Sequence, residues 1–386
     1  MSLRGTAAII GAAEVPPTRT TPGQTTLGMI GRVAAAAAAD AGLEPGDIDG
    51  LLVGPQVGET PQHVPATVAE YLGLAPRYAD VVDLGGASGA GMVWRAAAAI
   101  AAGMCQTVLC VLGNSRDPDL THRSPNRNPI REFDVRYGGS GANQAYAMVA
   151  TRHMADFGTT SEQLAIIPVV QRRNALLNPT AVFAGRQITV DDVLASPLVA
   201  APLHLLEIVM PCGGGAAVIV TSSDRATRSP NGAAQLLGAG ERITHRALSQ
   251  APELTTSPLA AAIADAYAMA GIGPRDLDVL SLYDCYSIVA AVTLEDAGLC
   301  HKGQVGPWLA DQDFSSTGNL PLNPHGGQLA CGQADLAGGM AHVVEAVRQL
   351  RHQADERQVP AAELALVTGN GATLSEEVAL VLGSAA

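Results

Sequence analysis

Charge is scarce in this sequence, and aromatic side chains are scarcer. Of 386 residues only 15% are charged and 3% are Phe, Trp or Tyr. A core so poor in rings must be built mostly from Ala, Val, Leu and Ile, within a hydrophobic content of 47%. Basic charge is also short: 23 Lys and Arg face 36 Asp and Glu, a formal net charge of −13. That balance excludes a nucleic-acid partner, which needs a basic footprint against phosphates. The six cysteines form no CxxC pair, which argues against a disulfide framework or a zinc site and fits a reduced, cytoplasmic setting with no metal ligand set. The nearly apolar stretch 96–112 is split by Gly103 and Gln106 into a helix and a strand, so no membrane span is expected. The opening Met1-Ser2-Leu3-Arg4-Gly5-Thr6 carries no apolar signal core. Familiar nucleotide and hydrolase motifs are missing too. Gly213-Gly214-Gly215 is not followed by Gly-Lys-Ser/Thr, the early glycines do not spell GxGxxG, and no GxSxG elbow surrounds Ser88.

What is present is an alternation of short apolar runs and alanine-rich helical stretches. Ala7-Ala8-Ile9-Ile10-Gly11 reads as a buried strand, and 27–41 as a helix closed by Gly42, a natural C-cap. A turn at 43–50 leads into a strand at 51–53. Val81 and Val82 run into Gly85-Gly86-Ala87-Ser88-Gly89-Ala90-Gly91, and an alanine-rich helix follows over 92–102. A further strand at 107–112 closes on Gly113-Asn114. Strands alternating with helices predict parallel pairing and an α/β architecture. The rhythm breaks over about 115–200. There 116–136 is rich in Pro, Arg, Asn and Asp, 144–157 and 161–174 look helical, and 178–197 reads as an irregular lid. It resumes at 212–220. The polar stretch 224–232 divides the chain into an N-terminal half, 1–230, and a C-terminal half, 231–386.

The second half repeats the first. Ala270-Gly271-Ile272-Gly273-Pro274-Arg275-Asp276-Leu277-Asp278 matches Ala41-Gly42-Leu43-Glu44-Pro45-Gly46-Asp47-Ile48-Asp49, and each follows an alanine-rich helix. Gly326-Gly327 stands where Gly85-Gly86 stood, and Val367-Thr368-Gly369-Asn370 echoes Val111-Leu112-Gly113-Asn114. Self-similarity at half the chain length implies a duplicated domain.

The junction at 85–91 has the form of a site. A strand running through glycines into a helix turns backbone N–H groups and the positive end of the helix dipole toward an anion or a polarised carbonyl. No side-chain nucleophile stands in it. The Asp-Ile-Asp turn, Gly86-Ala87-Ser88-Gly89, Asn143-Gln144-Ala145-Tyr146-Ala147 with Arg152-His153-Met154, Tyr283-Asp284-Cys285-Tyr286, and Asn323-Pro324-His325-Gly326-Gly327 running to Gly332-Gln333 together resemble the thiolase superfamily. The likeness is to the branch related to the sterol carrier protein thiolases, which includes proteins filed as lipid-transfer proteins and acetyl-CoA acetyltransferases. It implies a five-layered α-β-α-β-α fold and a tight homodimer. It also implies a coenzyme A thioester as substrate, its pantetheine arm entering between the halves, with no covalently bound cofactor.

The departures from that pattern bear on the chemistry. The resemblance places the acyl-accepting cysteine at Gly86, turns His-Asp-Cys-Phe into Tyr283-Asp284-Cys285-Tyr286, and turns Gly-His-Pro into Gly332-Gln333-Ala334. The C-terminal loop reads Gly369-Asn370-Gly371, without a cysteine. Covalent acyl transfer needs a thiolate and a base, and these positions supply neither. Tyr283, His325 and Gln333 are left as the catalytic candidates. Tyr283 would be a base if its phenolate were stabilised, and His325 or Gln333 a donor to the thioester. Gly86, Ser88, Asp284, Gly326, Gly327, Asn370 and Gly371 are the candidate substrate-binding positions. Cys331 and the other cysteines 105, 110, 212 and 285 read as core residues. Arg131, Arg136 and Arg173 are candidate cations for the coenzyme phosphates.

Two functions remain. In one, a cysteine-less member of this branch cleaves a carbon–carbon bond of a β-hydroxyacyl-CoA by a retro-aldol step, in lipid, steroid or aromatic acid degradation. In the other it is a non-catalytic acyl-CoA or lipid-binding subunit. Members of this kind often pair with a small zinc-ribbon/OB-fold protein, which this chain does not contain.

Overall fold

The structure, a computed structural model, describes residues 2–55, 63–119, 134–139 and 141–385; Arg131 lies outside them. Its strands are β1 (Ala7–Thr18), β2 (Gly50–Val53), β3 (Tyr78–Val81), β4 (Thr107–Asn114), β5 (Leu198–Ala200), β6 (Leu203–His204), β7 (Gly213–Ser222), β8 (Ala234–Ile243), β9 (Val279–Ser281), β10 (Leu364–Gly371) and β11 (Glu376–Ser384). Nine of them form one sheet in the order β3-β2-β4-β7-β1-β8-β11-β10-β9, while β5 and β6 pair by themselves. The expected parallel pairing holds for β2 with β3 and β4, and for β9 with β10. The remaining pairs in the large sheet are antiparallel. Chain length explains part of this: β10 ends at Gly371 and β11 starts at Glu376, a link far too short for the crossover that a parallel pair needs.

The two ends of the sheet are built alike. One runs β3-β2-β4-β7-β1; the other runs β9-β10-β11-β8, with Leu322 bridging parallel to Leu280 where β3 would stand. The repeated aspartates do the same job in both. Asp49 accepts from the backbone N–H of Gln106 and Thr107, each at 2.8 Å. Asp278 accepts from Glu363 and Leu364, each at 2.9 Å. Each carboxylate thereby pins the strand entering its half to the strand beside it. Asp47 and Asp276 each close a one-turn 3-10 helix by accepting from the N–H of residue 44 or 273.

The two half-sheets meet where Ala8 and Ile9 of β1 pair with Gln235 and Ala234 of β8, and the Gly5 N–H extends the seam to the Leu236 carbonyl. Alternation along the strands then sorts the core into layers. Leu51 and Val53 face outward with Leu109 and Ile219, under the helices Thr26–Ala41 and Val64–Leu72. Leu52, Val108, Val218 and Val220 face the other way and share a cluster with Leu236, Val367, Leu380 and Leu382 of the second half-sheet. The helices Ser88–Ala101 and Ala337–Leu350 fill that shared layer with Met92, Val93, Met340 and Val344. Leu280, Leu366, Ala379 and Val381 turn outward beneath the helices Leu259–Ala270 and Ser287–Asp296. The result is helix, sheet, helix, sheet, helix: the five-layered arrangement. Each buried Val or Leu contributes about 1.5–3 kcal/mol.

The inner helices touch through glycine. A Cβ at Gly89 would lie 2.7 Å from the Met340 backbone, and one at Gly339 would strike the carbonyl oxygen of Gly86. The second inner helix therefore rests on the turn at 85–88. Helix ends follow local chemistry. Thr25 Oγ1 accepts from Gly28 N–H at 3.0 Å, and Gly42 (φ 67°) and Gly271 (φ 69°) close their helices in the left-handed region. Within the stretch read as a lid, Val190–Ala195 is a short helix capped by Thr189. Among the described residues no helix is long and apolar enough to cross a membrane.

Candidate active site

A cavity of about 480 Å³ opens where the two half-sheets meet the excursion. Gly85 and Gly86 come from the turn before the first inner helix, Asn370 and Ala372 from the end of β10, and Tyr283, Cys285 and Tyr286 from the segment after β9. Gln333, Asp335 and Leu336 come from the turn before the second inner helix. The excursion supplies the opposite wall through Ala142, Asn143, Tyr146 and Val199, and the segment after it adds Leu205, Ile208, Val209 and Pro211. That wall is mostly apolar, with Asn143 and Tyr146 its polar members, and further hydrogen-bonding groups converge on the other side.

Tyr283 and Gly86 share one space. A Cβ at Gly86 would sit 2.1 Å from Tyr283 Oη, 2.4 Å from its Cζ and 2.6 Å from the Asn370 carbonyl oxygen. The phenol therefore occupies the volume that a side chain at position 86 would fill. Gln333 Nε2 donates to Tyr283 Oη at 2.8 Å. With its oxygen so engaged, the phenol keeps its own proton for another acceptor, and the bond it receives polarises the O–H. Burial, with Cys285, Asp335 and Asp284 nearby, holds the Tyr283 pKa well above the usual tyrosine value. The expectation of a stabilised phenolate is therefore reversed: desolvation outweighs the nearby donors, and Tyr283 stands as a neutral hydrogen-bond donor.

The remaining walls are tied together. Asn370 Nδ2 donates to Tyr146 Oη at 2.9 Å, and Tyr146 in turn donates to the Ala372 carbonyl at 2.9 Å. Tyr146 and Tyr286 stack with centroids 4.3 Å apart, and Tyr286 Oη donates to Asn143 Oδ1. Burial raises both of these phenols and the Cys285 thiol. None of the three is an anion near neutral pH.

The sequence candidates divide between this cavity and its supports. Tyr283, Gln333, Gly86 and Asn370 line it. Ser88 is fully buried behind the turn, where its Oγ accepts from Leu84 N–H at 2.9 Å and donates to the Gly85 carbonyl at 2.7 Å. Gly371 packs on the Leu84 carbonyl, which a Cβ would meet at 2.1 Å. His325 and Gly327 line a separate void of about 10 Å³ with Gln328 and Cys331, room for about one water. Burial pushes the His325 pKa down to about 3 and the Cys331 thiol well up. Gly326 packs on Ala175. Asp335 and Tyr146 also line the cavity and are not among the site residues expected from the sequence; the conformation of the Asp335 turn carries no sequence signature. Among the described residues no group of three or more His, Cys, Asp or Glu side chains could hold a metal ion.

Asp284 points away from the cavity. Its Oδ1 accepts from Gln328 N–H at 2.7 Å and lies 3.4 Å from His342 Nε2. It caps the helix Gly327–Cys331, and its Oδ2 would be 2.1 Å from a Cβ at Gly327. Asp284→Ala would leave the buried Gln328 N–H unpaired, at about 1–3 kcal/mol. A lower urea midpoint at unchanged slope is the expected result, and an unchanged midpoint would argue against the capping role.

Residues 240–384 match the family described as Thiolase C-terminal domain-like. The chain is 32% identical to an acetyl-CoA acetyltransferase of Methanothermobacter thermautotrophicus over 89% of its length and 91% of the relative's. It is 30% identical to the 17-hydroxy-3-oxo-4-pregnene-20-carboxyl-CoA lyase of Mycobacterium tuberculosis over 99% of its length and all of the relative's. Among solved structures it superposes on the Ltp2-ChsH2(DUF35) aldolase with a TM-score of 0.90 at 31% identity, covering all of this chain and 99% of that one. The chain belongs to the thiolase superfamily, in the branch of the sterol carrier protein 2 thiolases.

Proposed function

We propose that this protein cleaves the carbon–carbon bond between the α and β carbons of a β-hydroxyacyl-CoA by a non-covalent retro-aldol reaction, in steroid or related side-chain degradation. The observation that carries the reading is the Tyr283 phenol standing in the space beside Gly86. A thiolase nucleophile cannot fit there. A neutral donor aimed at the thioester oxygen suits the reaction that remains, because C–C cleavage leaves an enolate on that oxygen. Preorganised donors toward a developing oxyanion supply large rate effects. The lyase named above acts on a carboxyl-CoA carrying a 17-hydroxyl, which supports the same chemistry here. The pairing of two components in the name of the solved aldolase supports a partner subunit, expected to be a small zinc-ribbon/OB-fold protein. A homodimer and a cytoplasmic location complete the proposal.

The primary test supplies a β-hydroxyacyl-CoA to the protein together with a small zinc-ribbon/OB-fold partner, and follows the ketone or aldehyde and the shortened acyl-CoA. Appearance of both in equal amounts is expected. Tight acyl-CoA binding without turnover would favour the non-catalytic binding subunit instead. A second measurement addresses the sulfur directly. After incubation with acetyl-CoA or acetoacetyl-CoA, intact mass is expected to show no acyl adduct, and no burst of free coenzyme A is expected. The thiols of Cys285 and Cys331 are held high by burial and are poor nucleophiles. A stoichiometric adduct on Cys285 would return the reaction to covalent catalysis.

A further inference from the structure

Accepting the retro-aldol reading, the reaction needs a group that removes the β-hydroxyl proton, and Tyr283 does not provide one. The titratable side chains among the described cavity-lining residues are Tyr146, Tyr283, Cys285, Tyr286 and Asp335. Four of them are phenols or a thiol held neutral by burial. Asp335 alone is a carboxylic acid. It stands two residues beyond Gln333, with its backbone at φ 48°. That left-handed conformation is uncommon outside glycine and tolerated best by Asp and Asn. The strain is held in place from both sides: Gln333 is fixed by paired backbone bonds with Met210 and Cys212 (Gln333 N–H to the Met210 carbonyl, 2.9 Å; Cys212 N–H to the Gln333 carbonyl, 2.7 Å), and the helix Ala337–Leu350 begins just after. Backbone held in this way clusters at functional sites, and Ala372 on the facing wall of the cavity shares it at φ 52°.

We infer that Asp335 is the catalytic base of this site, taking the β-hydroxyl proton while Tyr283 and Gln333 serve the thioester oxygen. Written out, the Asp335 carboxylate accepts the proton of the β-hydroxyl, and the C–O bond becomes a carbonyl. The electron pair of the Cα–Cβ bond passes to Cα and the thioester, giving an enolate whose oxygen accepts from the Tyr283 O–H. Asp335 then returns its proton to Cα. The products are a ketone or aldehyde and a shorter acyl-CoA. No water, metal or redox partner is consumed, and both carboxylate and phenol end as they began.

The surroundings of Asp335 suit the role. Asp335 is exposed where it lines the open cavity, yet the walls around it desolvate the carboxyl and, with the like charge of Asp83 in the turn before the first inner helix, raise its pKa above the usual carboxylate value. A general base works best when its pKa lies toward the working pH range near neutrality, and a raised value moves Asp335 in that direction. The other titratable groups on the cavity walls, Tyr146, Tyr283, Cys285 and Tyr286, stay neutral across that range. The acid limb of kcat/KM is therefore assigned to Asp335: activity falls as pH drops through its raised pKa and the carboxylate is lost.

The test uses the protein with its partner subunit. Asp335→Asn is expected to lower kcat by about 10²–10⁴ with KM changed only a few-fold, and to remove the acid limb. Asp335→Glu is expected to restore part of the rate and a limb at shifted pH. A second readout needs no aldol substrate. Wild type incubated with propionyl-CoA in D₂O is expected to exchange the Cα proton, and Asp335→Asn to abolish that exchange while binding the thioester as before. Cleavage by Asp335→Asn within tenfold of wild type, or an acid limb left in place, overturns the assignment and leaves the retro-aldol reading intact. A wild type that neither cleaves nor exchanges overturns the retro-aldol reading and the role of Asp335 with it. Exchange by wild type that persists in the variant counts against Asp335 alone.

Discussion

Gly86→Cys, the substitution that would restore the family's nucleophile, is expected to produce no thiolase and to destroy the activity that exists. The Cβ of any residue at 86 would meet Tyr283 Oη at 2.1 Å and the Asn370 carbonyl at 2.6 Å. Neither neighbour can step aside freely. Gln333 holds the phenol, Gly339 of the second inner helix packs on the Gly86 carbonyl, and Asn370 belongs to a central strand. Forced insertion into such packing costs about 1–3 kcal/mol in stability. A displacement of about 1 Å at a reacting group costs on the order of 10²-fold in rate. Gly86→Ala is the cleaner probe because it adds the carbon without the sulfur. Both variants are expected to lose at least that factor in kcat/KM while far-ultraviolet circular dichroism stays native. An alanine variant with wild-type turnover would show that the phenol does not need this space.

Tyr283→Phe is the second large effect. The ring stays and only the donor leaves, so the cavity keeps its shape and Gln333 Nε2 loses its acceptor. Removal of one oxyanion donor typically costs about 10²–10³ in kcat. Single-turnover cleavage is expected to fall by that amount, with thioester affinity within a few-fold by calorimetry. The pH dependence separates this role from that of a base. Because burial keeps the phenol protonated, no titration of Tyr283 enters the profile between pH 5 and 9. The variant is expected to be slow at every pH with an unshifted acid limb, whereas Asp335→Asn removes that limb. A Tyr283→Phe profile that loses its acid limb would reassign the proton transfer to tyrosine.

The parts of this site that sequence reveals are those set by local chemistry. Asp47, Asp49, Asp276 and Asp278 act on backbone groups a few residues away or on the neighbouring strand, so their spacing survives duplication and can be read. Tyr283, Gln333, Asn370 and Gly86 are visible through their motif positions. Direction is what the residue string hides. In the segment after β9, neighbouring side chains diverge: Tyr283, Cys285 and Tyr286 face the cavity, while Asp284 among them caps a helix. His325 sits beside glycines that suggest exposure, yet it is buried near His342 with ring centroids 5.2 Å apart. Asp335 is missed for the converse reason. Its left-handed backbone aims it into the cavity, and nothing in Gln333-Ala334-Asp335-Leu336 announces that conformation. Strand polarity fails similarly, since the alternation of strands and helices does not reveal that β7 and β11 return between their neighbours.

That return of β11 has a consequence for how the protein is made. It follows β8, β9 and β10 in the chain, yet it lies between β8 and β10 in the sheet. Until residue 384 has left the ribosome, β8 and β10 each present an unpaired edge, and the inner face that covers the helix Ala337–Leu350 is incomplete. Domains ordinarily fold as units during synthesis, but this half must wait for its final strand. The nascent chain therefore carries open β-edges for the whole interval from residue 243 onward, the period in which a chaperone would be most needed and a stalled chain most prone to aggregate.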